Sequence, residues 1–141
     1  MTLPVLRREG RRPLPPRVTV ATRPFWDGLL AGEFRTTRCA SCGKASFPPK
    51  PFCPHCWSRE VVWIDLKPFG TIYSQTVVHA SPAVFAHEAP YRLCIIDLDE
   101  GLRIATRLIE AGDGVPIGAR VELVALAYDD GPLFAARPIR T

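Results

Sequence analysis

Residues 39–56 read CASCGKASFPPKPFCPHC, with Cys39 and Cys42 in one Cys-x-x-Cys pair and Cys53 and Cys56 in a second. Thiols spaced this way support three chemistries: disulfide closure, redox exchange and metal ligation. The N-terminal segment carries arginines but no apolar stretch of the secretory kind, so a cytoplasmic protein is expected. Stable disulfides are rare there, and the odd fifth cysteine, Cys94, fits a disulfide framework poorly. A redox motif needs one pair opening a helix behind a strand; here both pairs sit among turn formers. Two pairs, each donating two sulfurs from a tight turn with a hairpin between, suit tetrahedral zinc. Four thiolates leave no open position for water or substrate, so the zinc is expected to be structural. Iron on the same four sulfurs, in an electron carrier, is the rival. His55, inside the second pair, is expected to point outward because the sulfurs close the shell.

The flanking residues refine this picture. Gly43 follows the first pair and permits the positive-φ turn of a metal knuckle. Trp57 stands at the equivalent place in the second, which is therefore expected to be less regular. The linker GKASFPPKPF is short and braced by proline, and predicts Phe47 and Phe52 packed over the metal hairpin as a miniature core. Outside the cysteines, catalytic signals are weak: there is no Gly-rich phosphate loop, no Ser-His-Asp set and no recognisable carboxylate pair. Cys94 falls mid-strand on the core side of the alternating run RLCIIDL. Asp97, Asp99 and Glu100 cluster at a hairpin turn, where solvated charge is common.

The elements that must position these residues are short. The 141 residues, 47% hydrophobic and 23% charged, suit one domain or two small ones sharing an interface, without a membrane span. Residues 1–22 read as a flexible Arg- and Pro-rich arm. Residues 1–23 hold six arginines and one acid, so the positive excess of the +4 chain lies there and the remainder sums to −1. Residues 23–36, beginning RPFWDGLLAGEF, read as a short helix with Pro24 at its start and Phe25, Leu29 and Leu30 on one face. Residues 37–62 form the zinc ribbon. Residues 63–141 contain β-branched runs separated by turn formers, about five strands that fit a small closed or partly closed barrel.

The helix RPFWDGLLAGEF, the ribbon CASCG…FPPKPFCPHC, and the segments GTIYSQTVVH, APYRLCIIDLDEG and IGARVELV occur in this order. Together they resemble the zinc-ribbon/OB-fold family of acyl-CoA-associated proteins, over roughly residues 22–139. The resemblance implies a mainly β fold: a short N-terminal helix, a rubredoxin-like zinc ribbon and a five-stranded OB-fold barrel. Its ligand positions fall on Cys39, Cys42, Cys53 and Cys56. It also implies a non-catalytic auxiliary subunit accompanying a thiolase-like enzyme or a hydratase that acts on acyl-CoA in lipid, steroid or ketide metabolism. Candidate CoA-binding or interface residues are then Trp26, Lys67, His79, Phe85, Arg103 and Arg107, with Phe25 and Trp63 expected in the core. The alternative is a single-stranded nucleic-acid module, since OB-folds use basic grooves with stacking aromatics. The near-neutral body argues against it, and Tyr73 and Tyr91 are its candidate platforms.

Overall fold

The structure, a computed structural model, describes residues 2–139. Its elements run β1 (Val5–Arg7), α1 (Arg23–Leu30), β2 (Arg35–Cys39), β3 (Ala45–Ser46), β4 (Val61–Asp65), β5 (Phe69–Val78), β6 (Tyr91–Leu98), β7 (Arg103–Leu108), β8 (Arg120–Tyr128) and β9 (Gly131–Pro138). A 3-10 turn, Ala83–Glu88, lies between β5 and β6. β2, β3 and β4 make one three-stranded sheet, the ribbon. β5, β6, β7, β9 and β8 follow one another round a second sheet, which closes through the β5–β8 and β8–β9 pairings into a five-stranded barrel.

Alternation sets the barrel interior. Along β6, Cys94, Ile96 and Leu98 are buried while Leu93 is exposed, as a strand with one buried face requires. Ile104 and Leu108 from β7, Ile72 from β5 and Val121 and Leu123 from β8 complete the same core. Register shifts once, between Ile72 and Ser74 of β5. Tyr73, the unpaired residue of that bulge, stands outside the barrel. The turn at residues 99–101 joins β6 to β7, with Gly101 at φ +93. Its acids stay at the surface, and two of them are paired there: Asp97 takes two hydrogen bonds from Arg103, and Asp99 two from Arg120.

Helix α1 is shorter than expected, ending at Leu30, and residues 35–36 already belong to β2. Phe25 and Leu29 are buried, whereas Leu30 is exposed. An eight-residue helix is unstable alone, and three phenylalanines supply the docking surface for its Phe25. Phe25 meets Phe34, Phe47 and Phe134 with ring centroids 5.5, 5.5 and 5.7 Å away. These residues come from the helix, the lead into β2, the ribbon and β9. Phe47, expected over the metal, instead joins ribbon to barrel. β4 reaches Asp65 by pairing with Arg35 of β2, so Trp63–Asp65 extend the ribbon sheet rather than the barrel. Trp63 lies on the outer side of that sheet and is exposed, not core.

The largest departure is the N-terminal segment. Residues 2–12 are not a loose arm. β5 pairs with β8 only at Arg120–Glu122, so the same edge of β8 would be open from Ala125 onward. An open edge is a row of unpaired peptide groups. β1 fills it, pairing in parallel with Ala125–Ala127, and Leu3 is sealed into the barrel core at 1% exposure. The arginines then fold onto the acidic turn that follows β8. Arg7 bonds Asp129, while Arg12 donates to the carbonyls of Asp130 and Pro132 at 2.9 and 3.2 Å. A Cβ on Gly131, at φ +140, would strike the Arg12 guanidinium at 2.8 Å. Arg7, Arg11 and Arg12 thus spend their charge on Asp129 and Asp130.

Leu3→Ala is expected to cost about 2–5 kcal/mol, as for other buried leucines; a denaturation midpoint equal to that of the parent chain would restore the loose arm. Asp130 gives a second check. The backbone N–H of Arg12, foremost, holds its carboxyl below the usual 3.8. A depressed folded value stabilises fully above the unfolded value and is lost as pH falls through the folded one. Stability from the Arg12–Asp130 contact should thus persist above about pH 4 and fade in more acid solution. Asp130→Asn should flatten that part of the acid-unfolding curve.

Candidate metal centre and interaction surfaces

The two knuckles that present the cysteines are built by one repeated hydrogen-bond pattern. In the first, Gly43 N–H donates to the Cys39 carbonyl at 2.9 Å and Cys39 N–H to the Lys44 carbonyl at 2.9 Å. In the second, Trp57 N–H donates to the Cys53 carbonyl and Cys53 N–H to the Ser58 carbonyl, both at 2.8 Å. Gly43 has φ +81 and Trp57 φ +66. The second knuckle is therefore as regular as the first, contrary to expectation, and Trp57 takes the glycine's conformation. A non-glycine residue held there costs about 1–2 kcal/mol.

The four ligand atoms lie within 4.8 Å of one another. Cys39 Sγ is 3.5 Å from Cys56 Sγ, and Cys42 Sγ is 3.6 Å from Cys53 Sγ. Tetrahedral zinc with bonds of about 2.3 Å needs sulfurs about 3.8 Å apart, so the donor set fits the ion. Backbone donors prepare the sulfurs for negative charge. The N–H groups of Cys42 and Ser41 reach Cys39 Sγ at 3.3 Å, and hold that thiol down to about 6. Burial raises Cys53, but the N–H groups of Cys56 and His55 prevail and lower it. Cys56 gains a lowering N–H from Ser58, yet its sulfur neighbours and burial drive it up to about 12. Four sulfurs in contact cannot all ionise unaided, and a divalent cation offsets the charge that opposes them. Cys39 and Cys53 are buried, Cys42 and Cys56 exposed. His55 contributes its backbone N–H to Cys53 Sγ and stands outside the ligand set.

The other candidates separate. Trp26, Phe85 and Arg107 line one cavity of about 570 Å³ between α1, the 3-10 turn and the barrel. Arg103 is elsewhere, bonded to Asp97 and lying 3.6 Å above the Tyr73 ring. Lys67 is exposed on a groove shared with Asp65 and Glu100, and His79 is exposed just beyond β5. Sequence reasoning passed over a fourth feature. Phe52, expected above the metal, lies parallel to Trp57 with centroids 5.5 Å apart. Trp57 is 74% exposed, and Pro51 and Arg59 complete a shallow groove around the pair. Trp57 in a glycine position was the available signal.

Comparison with known proteins places the chain. The ChsH2 rubredoxin-like zinc ribbon model matches residues 26–62, and the ChsH2 C-terminal OB-fold model residues 63–126. A DUF35 domain-containing scaffold protein of Methanothermobacter thermautotrophicus is 30% identical over 62% of this chain and 68% of the relative. The chain belongs to the DUF35 zinc-ribbon/OB-fold family. A scaffold protein of the same description from Methanocaldococcus jannaschii is 39% identical over 62% of this chain and 63% of its own length. A probable enoyl-CoA hydratase alpha subunit of Thermomonospora curvata is 39% identical, but only 29% of it is spanned. Among solved structures, the Ltp2-ChsH2(DUF35) aldolase superposes with a TM-score of 0.75 at 32% identity, covering 88% of this chain and 98% of that one. A DUF35-family protein of unknown function from Sulfolobus solfataricus shares the fold, with a TM-score of 0.59 at 16% identity over 85% and 86% of the chains. The zinc-ribbon assignment and the fitted tetrathiolate together make the metal structural zinc. Among the described residues no helix is long and apolar enough to cross a membrane.

One zinc per chain is the expected stoichiometry by elemental analysis, with iron at trace level. Cys53→Ser should abolish zinc retention and melt the ribbon, lowering the unfolding temperature of the whole chain. A colourless, zinc-free preparation with an unchanged melting curve would refute the structural assignment.

Proposed function

We propose that this chain is a non-catalytic accessory subunit that docks, through the ribbon, on a thiolase-like or hydratase partner acting on acyl-CoA. The observation that carries the reading is Trp57. It occupies a backbone conformation that favours glycine, is largely exposed and is backed face to face by Phe52. An aromatic kept at a cost in backbone energy and buried against little of its own chain is suited to a surface outside the chain. Trp and Arg dominate interface hot spots, and Arg59 stands beside it.

The thiols support a non-catalytic part. Four belong to the metal cluster, and burial pushes the Cys94 thiol up to about 11, far from a nucleophile's range. Relatives support the choice of partner. A 3-oxo-4,17-pregnadiene-20-carboxyl-CoA hydratase alpha subunit of Mycobacterium tuberculosis is 32% identical over 115 residues. The benzoylsuccinyl-CoA thiolase subunit BbsA of Thauera aromatica is 35% identical over 86. The two arginines weighed for CoA already have carboxylate partners, Arg103 with Asp97 and Arg107 with Glu88. The phosphates of CoA are accordingly assigned to the partner. Against the nucleic-acid alternative, one face of each candidate platform already carries a guanidinium, 3.6 Å from the Tyr73 ring and 4.0 Å from that of Tyr91.

Trp57→Gly separates docking from folding, since glycine suits the φ of this position. Stability should stay within about 1 kcal/mol of the parent, the stacking loss roughly offsetting the relief. Capture of the thiolase-like or hydratase subunit by tagged chain in native extract should fall about 30-fold, the scale of one hot spot. Undiminished capture by Trp57→Gly would remove the ribbon from the interface. Turnover of an acyl-CoA by the purified chain alone would end the non-catalytic reading.

A further inference from the structure

The cavity of about 570 Å³ beside the barrel has the size of a small-molecule site, and its polar atoms are unequal. Among the described residues Glu88 is its only carboxylate; Arg107 Nη1 bonds one of its oxygens and His87 Nε2 lies 3.4 Å from the other. Arg107 also lies 4.0 Å above the Tyr91 ring. Thr106 Oγ1 donates to the Phe134 carbonyl. Four donors on the lining have no hydrogen-bond partner among the described residues, the Trp26 indole N–H and the Tyr91 hydroxyl being two of them. The Arg8 guanidinium and the Tyr128 hydroxyl are the others, and neither has an ion-pair partner among the described residues. Burial, with Glu88 next in weight, pushes the Tyr128 phenol up, so it stays a protonated donor at neutral pH. The remaining wall is chiefly aliphatic and aromatic. With Arg107 and Glu88 cancelling, the cavity carries one unbalanced positive charge.

We propose that this cavity binds a small apolar ligand bearing a single anionic group, with Arg8 as the counter-charge and Tyr128 as a second donor. A polyphosphate would bring more negative charge than one free cation can meet, and a neutral lipid would leave Arg8 facing an apolar body. Arg8, Pro13 and Leu14 form one wall and lie outside residues 26–126, where the family models match. The helix and the barrel supply the rest of the lining, and the N-terminal segment adds the counter-charge. It stands apart from the Trp57 surface and does not rest on the docking reading.

The test uses the full zinc-loaded chain and two fluorescent probes of similar shape, anionic 8-anilinonaphthalene-1-sulfonate and neutral N-phenyl-1-naphthylamine. The sulfonate should bind one site more tightly than the neutral probe. Arg8→Gln should weaken the sulfonate about tenfold or more and leave the neutral probe unchanged, while Arg8→Lys should restore much of the preference. The unchanged neutral probe reports that the cavity is intact in Arg8→Gln. Trp57→Gly should leave both affinities as they were. Equal affinity for the two probes, indifference to Arg8→Gln, failure of either probe to bind, or loss of the sulfonate site in Trp57→Gly would each overturn the proposal.

Discussion

Contact among four phenylalanines holds this molecule together. The ribbon sheet and the barrel sheet share no strand, and the eight-residue helix between arm and ribbon cannot persist alone. Phe25, Phe34, Phe47 and Phe134 converge where all three meet, with every pair of rings within 6.0 Å. Five of these pairs meet edge-on and Phe34–Phe47 is stacked, and such pairs add to the burial of large apolar area. With Leu29 of the helix and Leu66 beyond the ribbon in the same core, that convergence joins ribbon, helix and barrel.

The metal acts on a smaller scale and by a different physics. A ribbon of twelve paired residues in three strands has too little apolar interior to order its own loops. Two backbone knuckles aim the sulfurs inward, N–H donors stabilise them as thiolates, and the ion then fixes both loops at once. With the loops fixed by the ion, the side chains around them are released from packing duty. Phe47 can leave for the interdomain cluster, and Phe52 and Trp57 can face outward. The ribbon so presents a rigid aromatic surface, which is what a docking element requires.

The N-terminal segment answers a constraint of barrel closure. β8 is long enough to outrun β5, and its second half needs another neighbour. β1 supplies the peptide groups, Leu3 the apolar plug, and Arg7 and Arg12 the charges that meet Asp129 and Asp130. One strand addition therefore seals an edge, completes the core and pairs part of the basic segment with acids. It also carries Arg8 to the wall of the cavity, so the same pairing that stabilises the barrel shapes its neighbouring site.

The four metal ligands were legible in the chain because a Cys-x-x-Cys turn is a local device: spacing alone brings each sulfur pair together. The barrel strands were legible for a related reason, since period-two alternation records which face is buried, as Cys94, Ile96 and Leu98 illustrate. Long-range pairing left no such mark. That residues 2–12 would join β8, that Phe47 would leave the metal, and that Trp26, Phe85 and Arg107 would share a cavity while Arg103 and Lys67 would not, depended on contacts between residues far apart in sequence. Composition made the arm look soluble and loose because six arginines hide a single Leu3 that the barrel needs. Local spacing determined the ligands and the strands; the tertiary structure alone decided which open edge, aromatic ring and opposite charge each remaining residue would meet.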